Sequence, residues 1–456
     1  MCGAAKCRGQ PCSRASLARV QATVAYQLAR LDRLPVWPWP RVLLFNLGGS
    51  FFFAFFDIVV IGAALPAINA DFGTTATQGG YAVTAGLVGL VFGDFVGAWV
   101  STRKSRVLAL QSALWIFSAG MLLSVFAPNL AWLCAARFIA GFGTGADIST
   151  VVTYIAEVSP ERARGRITGF TTMCGFTGTA LAPFLALLLT TEWTWGWRVL
   201  FAFGALGAVI VVATRRHMPP SPRQIAERGD EQQLSVLIDQ AEARVQARGY
   251  ELPPVPPQNA ALGTAMRRAP AIAIAVFTVA WFVYYIGNFG WLTLAPTILT
   301  ENGFAVASSL GFLAVANAGL VVGAGISYFV ADRLERKWLL IGTLIVWGIA
   351  LCGIGFWGSS TAIMVLGFLA ALTIGLAIPV FYSFTAEHFS SKDRPWGMAW
   401  TDGIGHLGGA IAPYIFIGPT LAAAFGIMGV TGFVTAFIVL FTSRTQGRSL
   451  EEISGE

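Results

Sequence analysis

Read from end to end, the 456 residues alternate long apolar runs with short polar gaps. Twelve runs, centred near residues 54, 89, 117, 143, 178, 207, 284, 318, 348, 373, 406 and 432, are candidates to cross a bilayer, which takes roughly 20 mostly apolar residues per helix. The gaps between them are of two kinds. Of the 30 Lys and Arg residues, 28 fall in alternate gaps, and the intervening gaps near 67–76, 128–130, 191–196, 300–305, 358–361 and 418–422 hold none. Cations sorted this way match the retention of Lys and Arg on the cytoplasmic face of a membrane. An even number of spans and basic clusters at both ends then put both termini in the cytoplasm. Only Arg137 and Arg198 break the pattern.

Composition agrees with an all-α membrane protein. At 55% hydrophobic and 12% charged residues the chain is too apolar for a soluble globule. Its net charge of +7 reflects topology and gives no support to nucleic-acid binding. The expected divisions are a cytoplasmic N-terminal segment (1–41), a six-helix bundle (42–215), a cytoplasmic linker (216–268), a second six-helix bundle (269–443) and a tail (444–456). Within the first segment, Leu17, Val20, Val24, Leu28 and Leu31 share one helical face, so a helix lying on the inner membrane surface is expected, with Arg19 and Arg30 near headgroups. No cleaved signal peptide is read before Arg41. Cys2, Cys7 and Cys12 lack zinc spacing, and Cys134, Cys174 and Cys352 lie within spans as packing residues, so neither a metal nor a disulfide framework is expected.

Sliding the first half onto the second by 230 residues aligns Arg103 with Arg333, Arg106 with Arg336, Glu157 with Glu387 and Arg164 with Arg394. Charges are scarce here, so four matches at one offset indicate an internal duplication of a six-helix unit. The segments that carry this repeat also carry a resemblance. Asp332-Arg333-Leu334-Glu335-Arg336-Lys337 resembles the Asp-Arg-x-Gly-Arg-Arg/Lys signature of the major facilitator superfamily; the first copy has Thr102 at the Asp position. Arg137-Phe138-x-x-Gly141-x-Gly143-x-Gly145, followed by Tyr154-x-x-Glu157-x-x-Pro160-x-x-x-Arg164-Gly165, is similar to the layout of sugar porters and metabolite:proton symporters. Pro219-Pro220-Ser221-Pro222-Arg223 resembles the Pro-Glu-Ser-Pro-Arg sequence after their sixth helix. The resemblance implies two pseudo-symmetric six-helix bundles that rock about a central site. Within the superfamily, the niacin and organic-acid branch is favoured over sugars: span 7 has no Gln-Gln pair, and Asp147 stands ten residues before Glu157.

Charges within spans are costly and need individual explanations. Asp57 aligns with Gly287, Arg137 with Gly367 and Asp147 with Ala377, so all three are confined to the first half. Asp57 and Arg137 are expected to form a switchable buried pair that couples transport to protons, with Asp147 as a second titrating group. Asp94, after Gly93 in span 2, would cap or pair with the adjoining loop. Arg103, Glu157, Arg164, Asp332, Arg333, Glu387 and Arg394 would form a cytoplasmic gate of salt bridges between the halves. Tyr284, Tyr285, Asn288 and Trp291 in span 7, Asn317 in span 8, Tyr382 in span 10 and the i, i+4 pair Asp402 and His406 in span 11 would line a substrate cavity.

The expected protein is a monomeric secondary transporter of a prokaryotic inner membrane. It would couple protons to uptake of a small organic metabolite, an organic or aromatic acid, without a cofactor. Sugar or polyol transport is the alternative. A receptor or scaffold is disfavoured by the lack of a large soluble domain. An enzyme is disfavoured because neither a metal-ligand cluster nor a Ser/His/Asp arrangement is evident.

Overall fold

The computed structural model describes residues 14–214, 218–255, 271–330, 333–389 and 394–443; the side chains at 14–22, 161–162, 164–165, 210, 212, 214, 271–272 and 394–395 are outside the description. Helix α1 (Arg14–Asp32) precedes six spans: α2 (Arg41–Phe72), α3 (Ala76–Arg103), α4 (Arg106–Val125), α5 (Leu130–Val158), α6 (Glu161–Thr190) and α7 (Gly196–Thr214). Two helices, α8 (Pro222–Arg228) and α9 (Glu231–Gln246), lie in the described part of the linker. Span 7 is composite: α10 (Ala271–Phe289), a π-helical turn (Gly290–Leu294) and α11 (Ala295–Glu301). Then come α12 (Val306–Val330), α13 (Arg336–Trp357), α14 (Ser360–Glu387), a composite span 11 and α17 (Leu421–Val439). Span 11 consists of α15 (Arg394–Met398), a π-helical turn (Ala399–Gly403) and α16 (Ile404–Phe416). Among the described residues ten segments are long and apolar enough to cross a membrane; α7 and the composite span 11 bring the count to twelve.

Local chemistry sets the ends of these helices. The Thr75 side chain accepts from the Gln78 backbone N–H while Gln78 reaches back to Thr75, a reciprocal cap that starts α3. Asn129, Ser359 and Thr420 cap α5, α14 and α17 more simply, each accepting from one backbone N–H of the first turn. Gly73 and Gly358 end α2 and α13 in the left-handed conformation.

The packing repeats at the same offset as the charges. In the first half α2 packs on α6 and α7, α3 on α5, and α4 on α5 and α7. In the second, α10 packs on α16 and α17, α12 on α14, and α13 on α14 and α17. The most extensive contacts between the halves are two equivalent ones, α6 against α12 and α3 against α16. The glycines of the Arg137 motif explain how α5 fits. A Cβ at Gly141 or Gly145 would lie 1.9 or 2.0 Å from a carbonyl of α3, and one at Gly143 would lie 2.3 Å from the backbone of α4. Small residues let bundle helices approach this closely where lipid supplies no hydrophobic drive.

Helix α1 rests on α9. Arg30 pairs with Asp239 at 2.8 Å and Glu242 at 2.5 Å, and Arg33 pairs with Glu242 at 2.6 Å. The guanidinium expected at lipid headgroups is therefore engaged by the linker, because α9 presents its carboxylates to it.

Candidate functional site

The first-half charges converge. Asp57 and Arg137, on α2 and α5, are each 2% exposed and joined at 2.6 Å. Thr144, two turns along α5 from Arg137, donates to the other Asp57 oxygen at 3.3 Å. The guanidinium also lies 5.4 Å from the Phe201 ring, while its Nε has no hydrogen-bond partner among the described residues. A cavity of about 20 Å³ opens beside this pair, bounded by Ile58, Val83, Gly86 and Gly141. Asp147 is fully buried and accepts from Ser50 on α2, so it sits against span 1.

A second cavity, of about 40 Å³, lies between the halves. Phe55, Ile58, Val59, Ile148, Phe176 and Thr179 supply one wall. Tyr285, Asn288, Phe289, Leu292, Ile378, Tyr382 and His406 supply the other. Ile58 borders both cavities, so the Asp57 pair stands one residue away from the central space. A water needs about 10–15 Å³ of such volume, so the space has room for a few waters and must widen for a metabolite.

Contacts join the halves on both sides of this space. Away from the linker, a Cβ at Gly62 would fall 1.8 Å from the Thr293 carbonyl, Thr293 donates to the Ile58 carbonyl at 3.3 Å, and Thr84 donates to the Ala410 carbonyl at 2.8 Å. On the linker side, Phe95 meets Trp400 edge-on at 5.2 Å, and Gly169 lies against Tyr328.

Of the sequence-derived cavity residues, Tyr285, Asn288, Tyr382 and His406 line the space. Tyr284, Trp291 and Asn317 lie outside its lining. Tyr284 accepts from Asn288 at 2.8 Å and packs on Trp347. Trp291 faces Phe425 and Gly367 inside the second bundle, where the π-turn of span 7 aims it. Asn317 is fully buried on α12, with neither amide atom hydrogen-bonded among the described residues. Asp402 stands just behind the wall: Tyr285 donates to it at 2.6 Å, and the Tyr285 and Tyr382 hydroxyls are 3.1 Å apart. His406 stacks on the Tyr285 ring at 4.1 Å with its Nδ1 2.9 Å from the Asp402 carbonyl. Asp94 caps no loop. It is 1% exposed and brings its carboxylate into a cluster with Asp402 and His406, donor atoms all within 4.8 Å. The apolar wall residues could not be singled out in advance, because within apolar helices nothing distinguishes them from packing residues.

The expected salt bridges change partners. Glu157 pairs with Arg106 at 2.9 Å and Glu387 with Arg336, both pairs inside one half rather than between halves. Arg103 and Arg333 are exposed instead. The second Arg of each loop starts the next helix, and its side chain thereby turns inward onto span 4 or 10. The side chains of Arg164 and Arg394, and Asp332 altogether, lie outside the described residues. Ser221 donates to Glu157 at 2.5 Å and caps α8, so the Pro-rich motif after α7 seals the first pair.

Known proteins share this architecture. The profile described as Major Facilitator Superfamily matches residues 47–330 and 313–455. The niacin transporter NiaP of Acinetobacter baylyi is 26% identical over 93% of this chain and 99% of its own length. The 4-hydroxybenzoate transporter PcaK of Pseudomonas aeruginosa is 27% identical over 88% and 90%. The glucose transporter GlcP of Staphylococcus epidermidis is 26% identical over 91% and 97%. Among solved structures, the proton:xylose symporter XylE bound to 6-bromo-6-deoxy-D-glucose superposes with a TM-score of 0.72 at 17% identity, covering 95% of this chain and 99% of that one. With twelve spans, two repeated halves and a profile match along nearly the whole chain, the protein is a multi-pass membrane transporter of the Major Facilitator Superfamily.

Proposed function

We propose that the protein carries a small aromatic or organic acid across the membrane together with a proton, by alternating access about the central cavity. The observation that carries this reading is the buried Asp57–Arg137 pair, which borders that cavity through Ile58 and has no counterpart in the other half. A carboxylate in an apolar site stays ionised only while its cation is beside it, so separating the two makes Asp57 take up a proton. That separation requires α2 to shift against α5 inside the first half, and α2 also carries the Gly62–Thr293 contact through which movement of the second half reaches it. One proton moving with one monocarboxylate leaves no net charge to drive through the lipid.

The cavity wall supports the substrate class. Phe55, Phe176, Tyr285, Phe289 and Tyr382 offer aromatic faces, and Thr179, Asn288 and His406 offer a few polar contacts. That balance suits a planar ring with one polar group, since pockets of this kind bind by apolar surface and orient by few hydrogen bonds. Relatives named for niacin, 4-hydroxybenzoate and benzoate transport fit it. Sugar transport is the second reading, favoured by relatives named for glucose and xylose. Arg137 is committed to Asp57 and does not line the cavity, which leaves His406 and Asn288 to meet a substrate carboxylate. The linker side, rich in Lys and Arg, is cytoplasmic on this reading, in a bacterial inner membrane, with the protein acting as a monomer. The Arg106–Glu157 and Arg336–Glu387 pairs brace the linker-side end of each half.

Uptake of labelled nicotinate, benzoate, xylose and glucose into proteoliposomes, with and without an inward proton gradient, tests this. Gradient-driven accumulation of an acid is the expected result. Accumulation of a sugar alone, or uptake of acids indifferent to the gradient, overturns it.

A further inference from the structure

The Asp57 pair leaves a second set of intramembrane charges unused. Asp94 on α3 belongs to the first half; Asp402, on the π-helical turn of span 11, and His406, on α16, belong to the second. All three are at least 97% buried. Their donor atoms lie within 4.8 Å of one another across the seam between the halves. Asp94 Oδ2 has no hydrogen-bond partner among the described residues, and it points at that turn: a Cβ at Gly403 would lie 3.0 Å from it.

The charge balance of the cluster is incomplete. Among the described residues neither carboxylate pairs with Lys or Arg. Arg137, the nearest cation along α5, is held by Asp57, and Asp147 on the same helix is turned to Ser50 on α2. Ser149 of α5 approaches the Asp94 carboxyl but is neutral. From α10 and α14, Tyr285 and Tyr382 face Asp402, and Tyr285 donates to it. His406 Nδ1 is spent on the Asp402 carbonyl. Asp402 thus has the donors that stabilise an anion, whereas Asp94 Oδ2 has none. Two carboxylates this close in a buried site repel each other when both are ionised, and a proton shared between them relieves that repulsion.

We infer that Asp94, Asp402 and His406 form a proton site shared by the two halves, separate from the Asp57–Arg137 pair, whose proton holds α3 and the π-turn of span 11 together. Its loss leaves two anions face to face and drives the linker-side seam apart. Asp94 lies nine residues from the linker-side end of α3 and eighteen from the other end, so the repulsion acts on that side. The inference rests on the alternating-access reading above, and the π-turn gives it a structural origin. An extra residue in the turn re-aims side chains, a common device at functional sites.

The test uses the full chain with its native cysteines replaced and spin labels on Leu108→Cys and Trp338→Cys. These are exposed positions on α4 and α13 related by the internal repeat. Label distances are measured by pulsed electron resonance in nanodiscs across acid to alkaline pH. The parent should move from a short to a longer distance as pH rises. Asp94→Asn and, independently, Asp402→Asn should each abolish the shift and stay short, while Asp57→Asn should retain it. No shift in the parent, or a shift that survives both Asp94→Asn and Asp402→Asn, overturns the inference. A shift lost only in Asp57→Asn also overturns it and leaves the coupling-pair reading intact. Closure driven at fixed pH by sodium, or by a divalent cation and reversed by chelator, would identify a metal ion as the occupant and overturn the proton assignment.

Discussion

Replacing Asp57 by Asn removes a charge and almost no volume, so its consequences isolate the ion pair. In the parent the carboxylate lies 2.6 Å from the Arg137 guanidinium, both 2% exposed. Removing one member of such a pair leaves an uncompensated buried charge, at a cost of about 3–5 kcal/mol. Thr144 and the Phe201 face remain near Arg137 but neutralise nothing. Asp57→Asn should therefore lower thermal stability, and combining it with Arg137→Gln should recover part of the loss. The transport consequence is separable from the stability one. One pKa unit of differential binding corresponds to 1.36 kcal/mol, about tenfold in an equilibrium. With one proton per substrate, an inward gradient of one pH unit thus sustains about tenfold accumulation. In proteoliposomes the parent should approach that ratio. Asp57→Asn should fall to about onefold while still exchanging substrate in counterflow. Gradient-driven accumulation by Asp57→Asn equal to the parent's would refute the assignment of the proton to this pair. Loss of counterflow in a variant that remains folded would show instead that Asp57 is needed for movement itself.

Other consequences follow from the same geometry. Arg106→Met strands Glu157 in a buried site and should cost about 3–5 kcal/mol; Arg336→Met should cost less, because that pair is 19% and 24% exposed and partly screened by solvent. Thermal unfolding that ranks the two equally would defeat the burial argument. Gly62→Ala pushes a methyl into the Thr293 carbonyl, and overpacking of this sort costs about 1–3 kcal/mol. It should increase thiol-reagent access to a cysteine placed on the side away from the linker, and unchanged labelling would count against that contact as the closure. Burial alone would raise the Glu242 carboxyl, but hydrogen bonds from Arg30 and then Arg33 hold it below the usual carboxylate range. The folded value is depressed, so this contribution to α1–α9 docking is present at neutral pH and lost as pH falls through the lowered value. Limited proteolysis of α1 should accelerate there, and Glu242→Gln should cleave readily at neutral pH already.

Much of the architecture was legible without coordinates. A bilayer accepts only helices of a set length with their polar groups satisfied internally, so apolar runs and sorted cations fix the number of spans and their alternation. The 230-residue offset exposed the repeat because a charge in a span is conspicuous. The same scarcity points to Asp57 and Arg137 as a pair, and the two lie 2.6 Å apart. Partner choice was less legible. Arg103 and Arg106 are equally basic in sequence, and only the turn into α4 decides that Arg106 points inward to Glu157.

The sequence by itself determined the class, the duplication and which charges are exceptional, because those depend on composition and spacing along one dimension. Only the tertiary structure decided what faces what. Whether Tyr285 or Tyr284 meets the central cavity depends on one step of helix rotation, and two π-turns shift that rotation in spans 7 and 11. Asp94 gives the sharpest case. Along the chain it is more than 300 residues from Asp402 and reads as a cap. In space the packing of α3 against span 11 sets the two carboxyls together, and side-chain chemistry that depends on distance across a seam leaves no periodic trace in either strand of sequence.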